Sequence, residues 1–324
     1  MILVPLPEPP GTIILSGMFS LVPRALRVPD LAVDLGTAVT RVAPDEQNLR
    51  EHPSQARSTS ALGHGVIVSR QAAVEVLRPM LSAWRRAPFA KVRALACAPS
   101  DVSHDERHSI ADCVRAAGAS SVAIVPEPLA AAVGAGIDIA SNHVKFLVDL
   151  GGGVTDCALL YRGQVVTSFA ARVGCSDLRQ TIQHRIRETL AIKLSDEEAE
   201  RLLRMIGLGE LDSSELPIRG QCPRDGVIQL ASLREAMFPV VYQILSAVDT
   251  LLREIPPRFG AEVIEDGIFL TGGGALLRGL PAVIQRHTGI DVRVAPDPLR
   301  AVIHGACAML PIAASLRLWD LQSP

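Results

Sequence analysis

A pattern of eight residues, Val-Asp-Leu-Gly-x-x-Val-Thr, begins at Val33 and begins again at Val148. Each copy places one aspartate, Asp34 or Asp149, two residues before a glycine and between two short apolar runs. Apolar runs on both sides of a glycine predict a strand, a tight turn and a return strand. The repeat therefore predicts two related halves, each of which presents one hairpin to a shared cleft.

The two turns are suited to hold phosphate groups. Glycine lets backbone N–H groups approach an anion closely and lets the turn take positive φ angles. The aspartate at the end of each first strand would repel the same phosphates unless a cation lay between them. Mg²⁺ binds through one or two carboxylates, water and phosphate oxygens, so we assign Asp34 and Asp149 to Mg²⁺. The predicted phosphate-binding residues are Gly36, Thr37, Ala38, Val39, Gly151, Gly152, Gly153 and Thr155.

A third glycine cluster follows the apolar run 267–270 and precedes a helical pattern. A strand, a glycine loop and a helix N-terminus together make a platform for an anion or a nucleotide. The predicted contacts of this loop are Gly272, Gly273, Gly274 and Ala275.

The rest of the chain alternates between β-rich runs and helical stretches, which predicts an α/β fold. The spacing of serine and acidic residues predicts capped helix starts at Ser103 and Ser195. A long amphipathic helix is expected over about 233–255, where Pro256 stops it. Residues 1–30 are rich in proline and form an N-terminal extension.

The composition excludes several classes of protein. The chain has 324 residues, 48% of them apolar, and a formal net charge of −2. This length suits about two domains, and the charge provides no broad basic surface for nucleic acid. The uncharged stretch 9–23 is interrupted by proline and is shorter than the about 20 apolar residues that cross a bilayer. The first basic residue, Arg24, follows that stretch, unlike the order in a secretory signal, so we expect a cytoplasmic protein.

These motifs together resemble the actin, Hsp70 and sugar-kinase superfamily, and within it the bacterial MreB family of actin-like proteins. The likeness extends from about residue 31 to residue 310, and five motifs in the same order make it specific. The matching segments are the first phosphate motif (31–42), the first connecting helix (127–134), the second phosphate motif (146–160), the adenosine motif (267–280) and the second connecting helix (298–306).

The resemblance implies a two-domain actin-like ATPase fold, in which duplicated RNase H-like domains enclose a nucleotide cleft. It implies ATP and Mg²⁺ as ligands and assigns Glu127 as the residue that orients the attacking water on the γ-phosphate. The alternative is that Glu127 only complements the dipole of its helix. The expected layout is an N-terminal extension (1–30), domain I (31–147) with a reduced small subdomain near 43–65, domain II (148–300) with a shortened subdomain near 177–230, and a C-terminal helix (301–324) that returns to domain I.

Several positions near the cleft depart from the family pattern. A Glu-x-x-Lys pair grips ribose and adenine in MreB relatives, whereas here Glu200 is followed by Leu203, which predicts weaker adenosine binding. Val39 replaces an asparagine of the turn, and 175–176 reads Cys-Ser instead of Gly-Asp. Arg41 stands where actin carries a lysine that faces phosphate, although a return-strand arginine is usually a solvated edge residue.

The small subdomains are the largest departure. The chain between the first hairpin and Gly65 is too short for the full subdomain that MreB proteins carry there, and 207–230 is trimmed as well. Because these subdomains contribute to subunit contacts in filaments, the trimming bears on self-association more than on nucleotide binding.

One segment is a candidate for membrane contact. Trp84 and Phe89 lie among four basic residues between positions 85 and 93, where MreB proteins have a hydrophobic membrane loop. Exposed aromatic residues flanked by cations suit an interface with anionic lipid. The alternative is a helix end whose Trp84 packs inward.

The sequence thus predicts an MreB-like, ATP-binding cytoskeletal protein of cell shape or wall synthesis. It would form filaments or copolymerise with a full-length relative. Leu203, Val39 and the trimmed subdomains favour one alternative, a degenerate scaffold that regulates such a relative. The other is a small-molecule kinase of the same fold. A kinase of this kind uses a cleft aspartate to deprotonate a hydroxyl, whereas this chain offers Glu127 at the start of an ATPase-type helix.

Overall fold

Two five-stranded sheets form the framework of the protein. The computed structural model describes residues 28–85, 87, 90–208, 215–218 and 226–315. The strands are β1 (Asp30–Leu35), β2 (Val39–Ala43), β3 (Arg50–Pro53), β4 (Gln55–Ala56), β5 (Thr59–Ser60), β6 (Leu62–Gly63), β7 (Val66–Ile67), β8 (Val92–Ala98), β9 (Ala119–Pro126), β10 (Lys145–Leu150), β11 (Thr155–Tyr161), β12 (Gln164–Ala171), β13 (Glu215–Ile218), β14 (Gly226–Gln229), β15 (Ile268–Thr271) and β16 (Val292–Val294). The helices are α1 (Arg70–Ser82), α2 (His104–Ala117), α3 (Glu127–Gly134), α4 (Cys175–Leu190), α5 (Asp196–Ile206), α6 (Leu230–Glu254), α7 (Gly260–Asp266), α8 (Leu280–Thr288) and α9 (Ala301–Ser315).

The two sheets have the same topology. Their strand orders are β3-β2-β1-β8-β9 and β12-β11-β10-β15-β16. In each sheet the first three strands are antiparallel neighbours, and the last two continue in parallel from the central strand. The first lobe is the first sheet with α1 and α2, and the second lobe is the second sheet with α4 to α8. The predicted α/β fold with two related halves is confirmed.

Both predicted hairpins are present, and their registers are equivalent. In the first hairpin Asp34 lies opposite Arg41, and in the second Asp149 lies opposite Asp156. The aspartate of each hairpin therefore faces the return strand one residue before its first strand ends. The internal sequence repeat corresponds to a structural repeat that ends in two tight turns.

Three apolar clusters hold the fold together. One lies inside the first lobe and one inside the second. The third joins the lobes, because it combines inward-facing residues of β1, β8, β10 and β11 with the alanine-rich helices α3 and α9. Small side chains on these two helices let the sheets approach each other closely.

The helices α3 and α9 cross with their backbones in contact. A Cβ atom at Gly134 would lie 1.9 Å from the carbonyl oxygen of Ala301, and one at Gly305 would lie 1.7 Å from that of Ala130. No side chain fits at either glycine, so the crossing fixes α3 against α9. Since Glu127 is the first residue of α3, this crossing also fixes its position.

The predicted helix starts and the long helix are confirmed. Ser103 and Ser195 each form a capping box. By length and composition α6 could cross a membrane, the one helix of the described residues that could. Its buried residues, which include Met237, Ile244 and Val248, belong to the core of the second lobe, so α6 is a core helix. Most of 207–226, the predicted surface excursion, lies outside the described residues, as do 1–27 and 316–324.

Candidate functional site

A cavity of about 350 Å³ lies between the lobes, where the two hairpin turns and the third glycine loop meet. This volume is in the range of small-ligand sites. The residues predicted from the sequence that line it are Asp34, Gly36, Thr37, Ala38, Val39, Glu127, Asp149, Gly151, Gly152, Gly153, Glu200, Leu203, Gly272 and Gly273. Positions far apart in the chain are thus brought to one site.

Three residues predicted to bind the ligand do not line the cavity. Thr155 is fully buried, and its hydroxyl donates a hydrogen bond of 2.8 Å to the carbonyl oxygen of Val173. Gly274 packs against Leu150, whose side chain would lie 2.1 Å from a Cβ at this position. Ala275 is buried in the core of the second lobe. These residues support the loops around the cavity without lining it. Thr155 lies on a strand, where successive side chains point to opposite faces, and the small residues Gly274 and Ala275 let their loop pack closely against the core.

The two hairpin turns touch each other across the lobes. A Cβ at Gly152 would lie 3.0 Å from the Cβ of Ala38, and one at Gly153 would lie 2.9 Å from the hydroxyl oxygen of Thr37. Glycine at both positions permits this approach, and the absence of a side chain would let backbone amide groups come close to a bound anion. Thr37 is further held by the backbone N–H of Gly65, which donates to its hydroxyl at 2.9 Å.

Four carboxylates line the cavity near these turns, those of Asp34, Glu127, Asp149 and Asp156. Burial raises the pKa of Asp34, although the neighbouring Arg41 acts in the opposite direction. Burial raises the pKa of Asp149 to about 6 despite a 2.7 Å hydrogen bond from the hydroxyl of Thr271. Burial and then the surrounding aspartates raise the pKa of Glu127 well above its usual range. The pKa values of these acids are thus raised first by burial and then, for Glu127 and Asp149, by neighbouring carboxylates.

This donor set fits Mg²⁺ held together with a phosphate ligand. In the described part of the chain no three His, Cys, Asp or Glu side chains cluster as metal ligands. Mg²⁺ commonly uses only one or two carboxylates and completes its shell with water and phosphate oxygens. Asp34 and Asp149, one from each lobe, would supply those carboxylates.

Asp156 is a cavity residue that sequence reasoning missed. Its Oδ2 accepts a 2.7 Å hydrogen bond from the backbone N–H of Ser100, and its Oδ1 accepts one of 2.5 Å from the hydroxyl of the same serine. These bonds join the second lobe to the first. The signal was available, because Asp156 directly follows Thr155 in the second copy of the repeat.

Arg41 is not the solvated edge residue that its place on a return strand suggested. Only 12% of its side chain is exposed, and it lines the cavity. Its Nη1 donates to Asp34 at 3.0 Å and its Nε donates to Glu51 at 2.9 Å. Its cross-strand neighbours, Asp34 on β1 and Glu51 on β3, hold the arginine side chain at the cavity.

A second group of contacts between the lobes centres on Arg172. Its Nη1 donates to the carbonyl oxygen of His64 at 2.7 Å, and its Nε donates to Asp101 at 2.9 Å. The ring nitrogen Nδ1 of His64 lies 3.2 Å from the carbonyl oxygen of Gly153, in the second turn. The segment at 64–65 therefore contacts both phosphate turns and is fixed by an arginine of the second lobe.

Comparison with known proteins decides the family. The chain matches the family described as MreB/Mbl protein over residues 46–317. It belongs to the MreB/Mbl family. The expectation drawn from the sequence motifs is confirmed, and the family places the chain among the actin-like cytoskeletal proteins.

Relatives in the MreB/Mbl family match most of the chain. The cell shape-determining protein MreB of Escherichia coli strain K12 is 29% identical over 317 residues, which cover 85% of this chain and 91% of the relative. The cell shape-determining protein Mbl of Bacillus subtilis strain 168 is 30% identical over 229 residues, which cover 68% of this chain and 69% of the relative.

Solved structures of the same fold match this chain over nearly their own full length. MreB5 of Spiroplasma citri bound to AMPPNP has a TM-score of 0.80 and 24% identity, covering 90% of this chain and 98% of that one. A double helical filament of MamK has a TM-score of 0.72 and 18% identity, covering 86% of this chain and 98% of that one. These likenesses concern the fold, and they confirm the two-domain actin-like architecture.

The other end of the cavity is where the family pattern of Glu-x-x-Lys is altered. Leu203 lines it together with Leu276 and Leu299, which are 45% and 38% exposed. Glu200 accepts a 2.9 Å hydrogen bond from Nε of Arg204, one turn further along α5. This end therefore offers an apolar wall and a paired acid.

Residues 84, 85, 87 and 90–93 of the candidate membrane segment belong to the described part of the chain. Trp84 packs against buried residues of the first lobe, and the guanidinium of Arg50 lies 5.5 Å from the centre of its ring. The structure therefore favours, for Trp84, the alternative in which this residue packs inward, half-buried just after the end of α1. Phe89 lies outside the described residues.

Proposed function

We propose that this MreB/Mbl-family chain binds ATP with Mg²⁺ between its lobes and uses the bound nucleotide to control assembly in the cell-shape machinery. The observation that carries the proposal is the contact between the turns at Gly152 and Ala38, from opposite lobes, at the edge of a cavity lined by five carboxylates. A ligand held by both turns would link the lobes, so its phosphate state would govern their closure.

The relatives support the nucleotide part of this proposal. MreB5 of Spiroplasma citri has been solved with AMPPNP and with ADP. In this chain the two glycine turns and the third glycine loop surround the cavity. The exposed leucines at the far end of the cavity, Leu276 and Leu299, suit a purine base.

Each residue of the site has a distinct part in the proposed reaction. Bound Mg²⁺ would neutralise phosphate charge between Asp34 and Asp149. The backbone amides of the two turns would orient the phosphates, since phosphoryl transfer depends mostly on positioning and charge stabilisation. Glu127, fixed at the start of α3 by the crossing with α9, would orient a water molecule toward the γ-phosphate.

Nucleotide binding is tested by isothermal titration with ATP and Mg²⁺. We expect saturable binding of one nucleotide per chain. Gly152→Leu should abolish it, because a side chain there would fill the gap between the turns. Gly260→Leu is a matched control, since a Cβ at Gly260 meets no atom within 4 Å. If the chain does not bind ATP, or if both variants bind it as the wild type does, the nucleotide site is refuted.

Hydrolysis is a separate question with its own test. Glu127→Gln preserves the size of the side chain and removes its charge. We expect it to keep ATP binding and to lower phosphate release about 100-fold, the usual lower range for loss of a group that handles the reacting proton. If binding and release fall together, Glu127 acts in binding alone. If phosphate also transfers to a sugar, the kinase alternative gains support.

Self-association follows from the family and is supported by the MamK filament. Between positions 43 and 67 the chain forms β3 and the short hairpins β4–β5 and β6–β7, and we infer that so short a segment leaves little surface for a neighbour. We therefore propose that assembly needs either high concentration or a full-length relative. Sedimentation with ATP, alone and mixed with such a relative, tests this: protein that stays in the supernatant in both cases refutes it.

The proposed place of action is the cytoplasm, at the inner face of the membrane. Because Trp84 packs inward, membrane contact would depend on Phe89 and its basic neighbours. Liposome sedimentation with Phe89→Ala measures this. Binding that is absent in the wild type, or unchanged in the variant, refutes it.

A further inference from the structure

The cavity between the lobes carries opposite charge at its two ends. Around the hairpin turns its charged lining residues are four acids and one arginine, Arg41. Along helices α4 and α5 they are two arginines, Arg179 and Arg204, and one acid, Glu200. This second end therefore has an excess of positive charge, although the ribose and the base that the proposed nucleotide would place there are uncharged.

Arg179 of α4 has unused hydrogen-bond donors. Its guanidinium makes no hydrogen bond to any residue that the structure describes, and its Nε is buried. The one acid of the described residues within 4 Å is Asp196, whose Oδ2 lies 3.8 Å from Nη2, which is too far for a hydrogen bond. Gln183 donates to the other oxygen of Asp196 at 2.9 Å. Because only 21% of the Arg179 side chain is exposed, an anion that accepted from it would remove a desolvation cost.

Arg204 of α5 also keeps donors for a ligand. Of its five N–H groups, the one on Nε donates to Glu200 at 2.9 Å, and those on Nη1 and Nη2 make no hydrogen bond to any residue in the described part of the chain. The side chain of Arg204 is 60% exposed, and an ion pair one turn apart on a helix surface is weak. A phosphate group could therefore bind Arg204 beside Glu200 or in its place.

The charges of the two helices converge at Cys175, which also lines the cavity. Burial raises the pKa of the Cys175 thiol to about 12, Glu200 raises it further, and Arg179 and Arg204 both lower it. The backbone N–H of Cys175 donates to the carbonyl oxygen of Gly151 at 3.1 Å, so this point adjoins the second hairpin turn. Arg179 lies one helical turn further, a rise of about 5.4 Å, which is about the span of one sugar ring with its substituents.

We propose that Arg179 and Arg204 form a second anion subsite, and that the cavity takes a nucleotide with a phosphate group on its ribose, at the 2′ or the 3′ position, besides its 5′-phosphate. With the 5′-phosphate at the hairpin turns, the ribose reaches the wall made by α4 and α5. The planar fork of arginine matches phosphate oxygens, and the hydrogen bonds are charge-assisted. This inference rests on the proposed nucleotide site and deepens it, because it names the class of nucleotide.

The test compares three ligands that differ only in the phosphate on the ribose. AMP, adenosine 2′,5′-bisphosphate and adenosine 3′,5′-bisphosphate are titrated calorimetrically in excess Mg²⁺, in competition with ADP where the direct binding is weak. We expect one of the two bisphosphates to bind the wild type about tenfold or more tightly than AMP, the usual scale for one charge-assisted contact. The preferred isomer identifies the ribose position.

Variants show whether the two arginines cause this preference. Arg179→Met and Arg204→Met should each lower the ratio of AMP to bisphosphate dissociation constants, whereas Arg179→Lys, which keeps the charge without the fork, should retain part of it. Glu200→Gln should raise the ratio, because it removes the acid that competes for Arg204 and repels the phosphate. Arg201→Met is the matched control on the exposed side of α5 and should leave the ratio unchanged. Circular dichroism checks that each variant is folded.

The outcomes distinguish this inference from the nucleotide proposal. If ATP binds but neither bisphosphate is preferred over AMP, the second anion subsite is refuted and nucleotide binding stands. A preference that persists in both Arg179→Met and Arg204→Met also overturns the inference, because the ribose phosphate is then bound elsewhere. If a bisphosphate binds and depends on the arginines while ATP does not bind, the subsite stands and the ATP proposal falls. If ATP, ADP and both bisphosphates all fail to bind, both are refuted.

Discussion

We expect Asp156 to make the nucleotide-free protein less stable as the pH rises. Its side chain is 1% exposed, and burial raises its pKa to about 7, although two hydrogen bonds from Ser100 lower it. Asp156→Asn removes the charge but can keep both hydrogen bonds with Ser100. The amide oxygen can accept from the backbone N–H of Ser100, and the amide nitrogen can donate to its hydroxyl. We expect the variant to be more stable than the wild type at alkaline pH.

The size of the effect follows from the difference between the folded and unfolded pKa values. Below pH 3.8 both states hold the proton and the wild type has no penalty. As the pH rises from there to about 7, the unfolded chain releases the proton first, so the free energy of unfolding falls and then stays low. At about 1.4 kcal/mol per pH unit, the penalty is about 2 kcal/mol at pH 5 and about 4 kcal/mol at pH 8.

Urea denaturation of the nucleotide-free protein at these two pH values measures the effect. Asp156→Asn should gain a few kcal/mol over the wild type at pH 8 and clearly less at pH 5, about 2 kcal/mol separating the two gains. Asp105→Asn serves as the control, because the carboxylate of Asp105 is fully exposed at the start of α2. A gain that is equal at both pH values, or a loss at pH 8, would show that Asp156 is not a strained, buried acid.

Three other predictions follow from the contacts between and within the lobes. Gly305→Ala should destabilise the protein by about 3 kcal/mol or more, because its Cβ would overlap the carbonyl oxygen of Ala130; thermal unfolding measures this. Arg172→Met should cost about 1–2 kcal/mol and increase hydrogen exchange at 64–65, since it removes the hydrogen bonds to the first lobe. Leu203→Lys should raise ATP affinity several-fold in titration calorimetry, because it recreates the Glu-x-x-Lys pair of the family with Glu200.

Each of these has a control. Gly260→Ala, at a position where a Cβ meets no atom, should hardly change stability. If it destabilises the protein as much as Gly305→Ala does, the close contact of the two helices is not the cause of the loss. Arg258→Met alters an arginine that lies over Phe259 and should leave exchange at 64–65 unchanged. Leu203→Met keeps the apolar wall; if it improves ATP binding as much as Leu203→Lys, the missing charge is not what limits affinity.

The repeat of hairpins was predictable because its signal is local. Asp34 and Asp149 each precede a glycine turn between apolar runs, and this pattern specifies a hairpin wherever it occurs. The same holds for the capping boxes at Ser103 and Ser195, whose spacing contains the whole interaction. The motifs also fixed the family, since their order along the chain is part of the sequence.

The contacts that individual side chains make could not be predicted from such local sequence patterns. Thr155 and Gly274 lie in the right motifs but face away from the cavity, because strand alternation and loop packing decide which residues reach it. Trp84, just after the end of α1, packs against a core built from residues that are distant in the chain. Each outcome depends on neighbours that are distant in the chain.

The sequence by itself determined two glycine hairpins with one aspartate each, the helices between them and membership of the MreB/Mbl family. Tertiary structure alone decided which charges meet. Arg41 joins Asp34 to Glu51, Asp156 meets Ser100, and five acids share one cavity. The physical reason is that short-range patterning sets the backbone, whereas the charge state and partners of a buried group depend on the three-dimensional arrangement of everything around it.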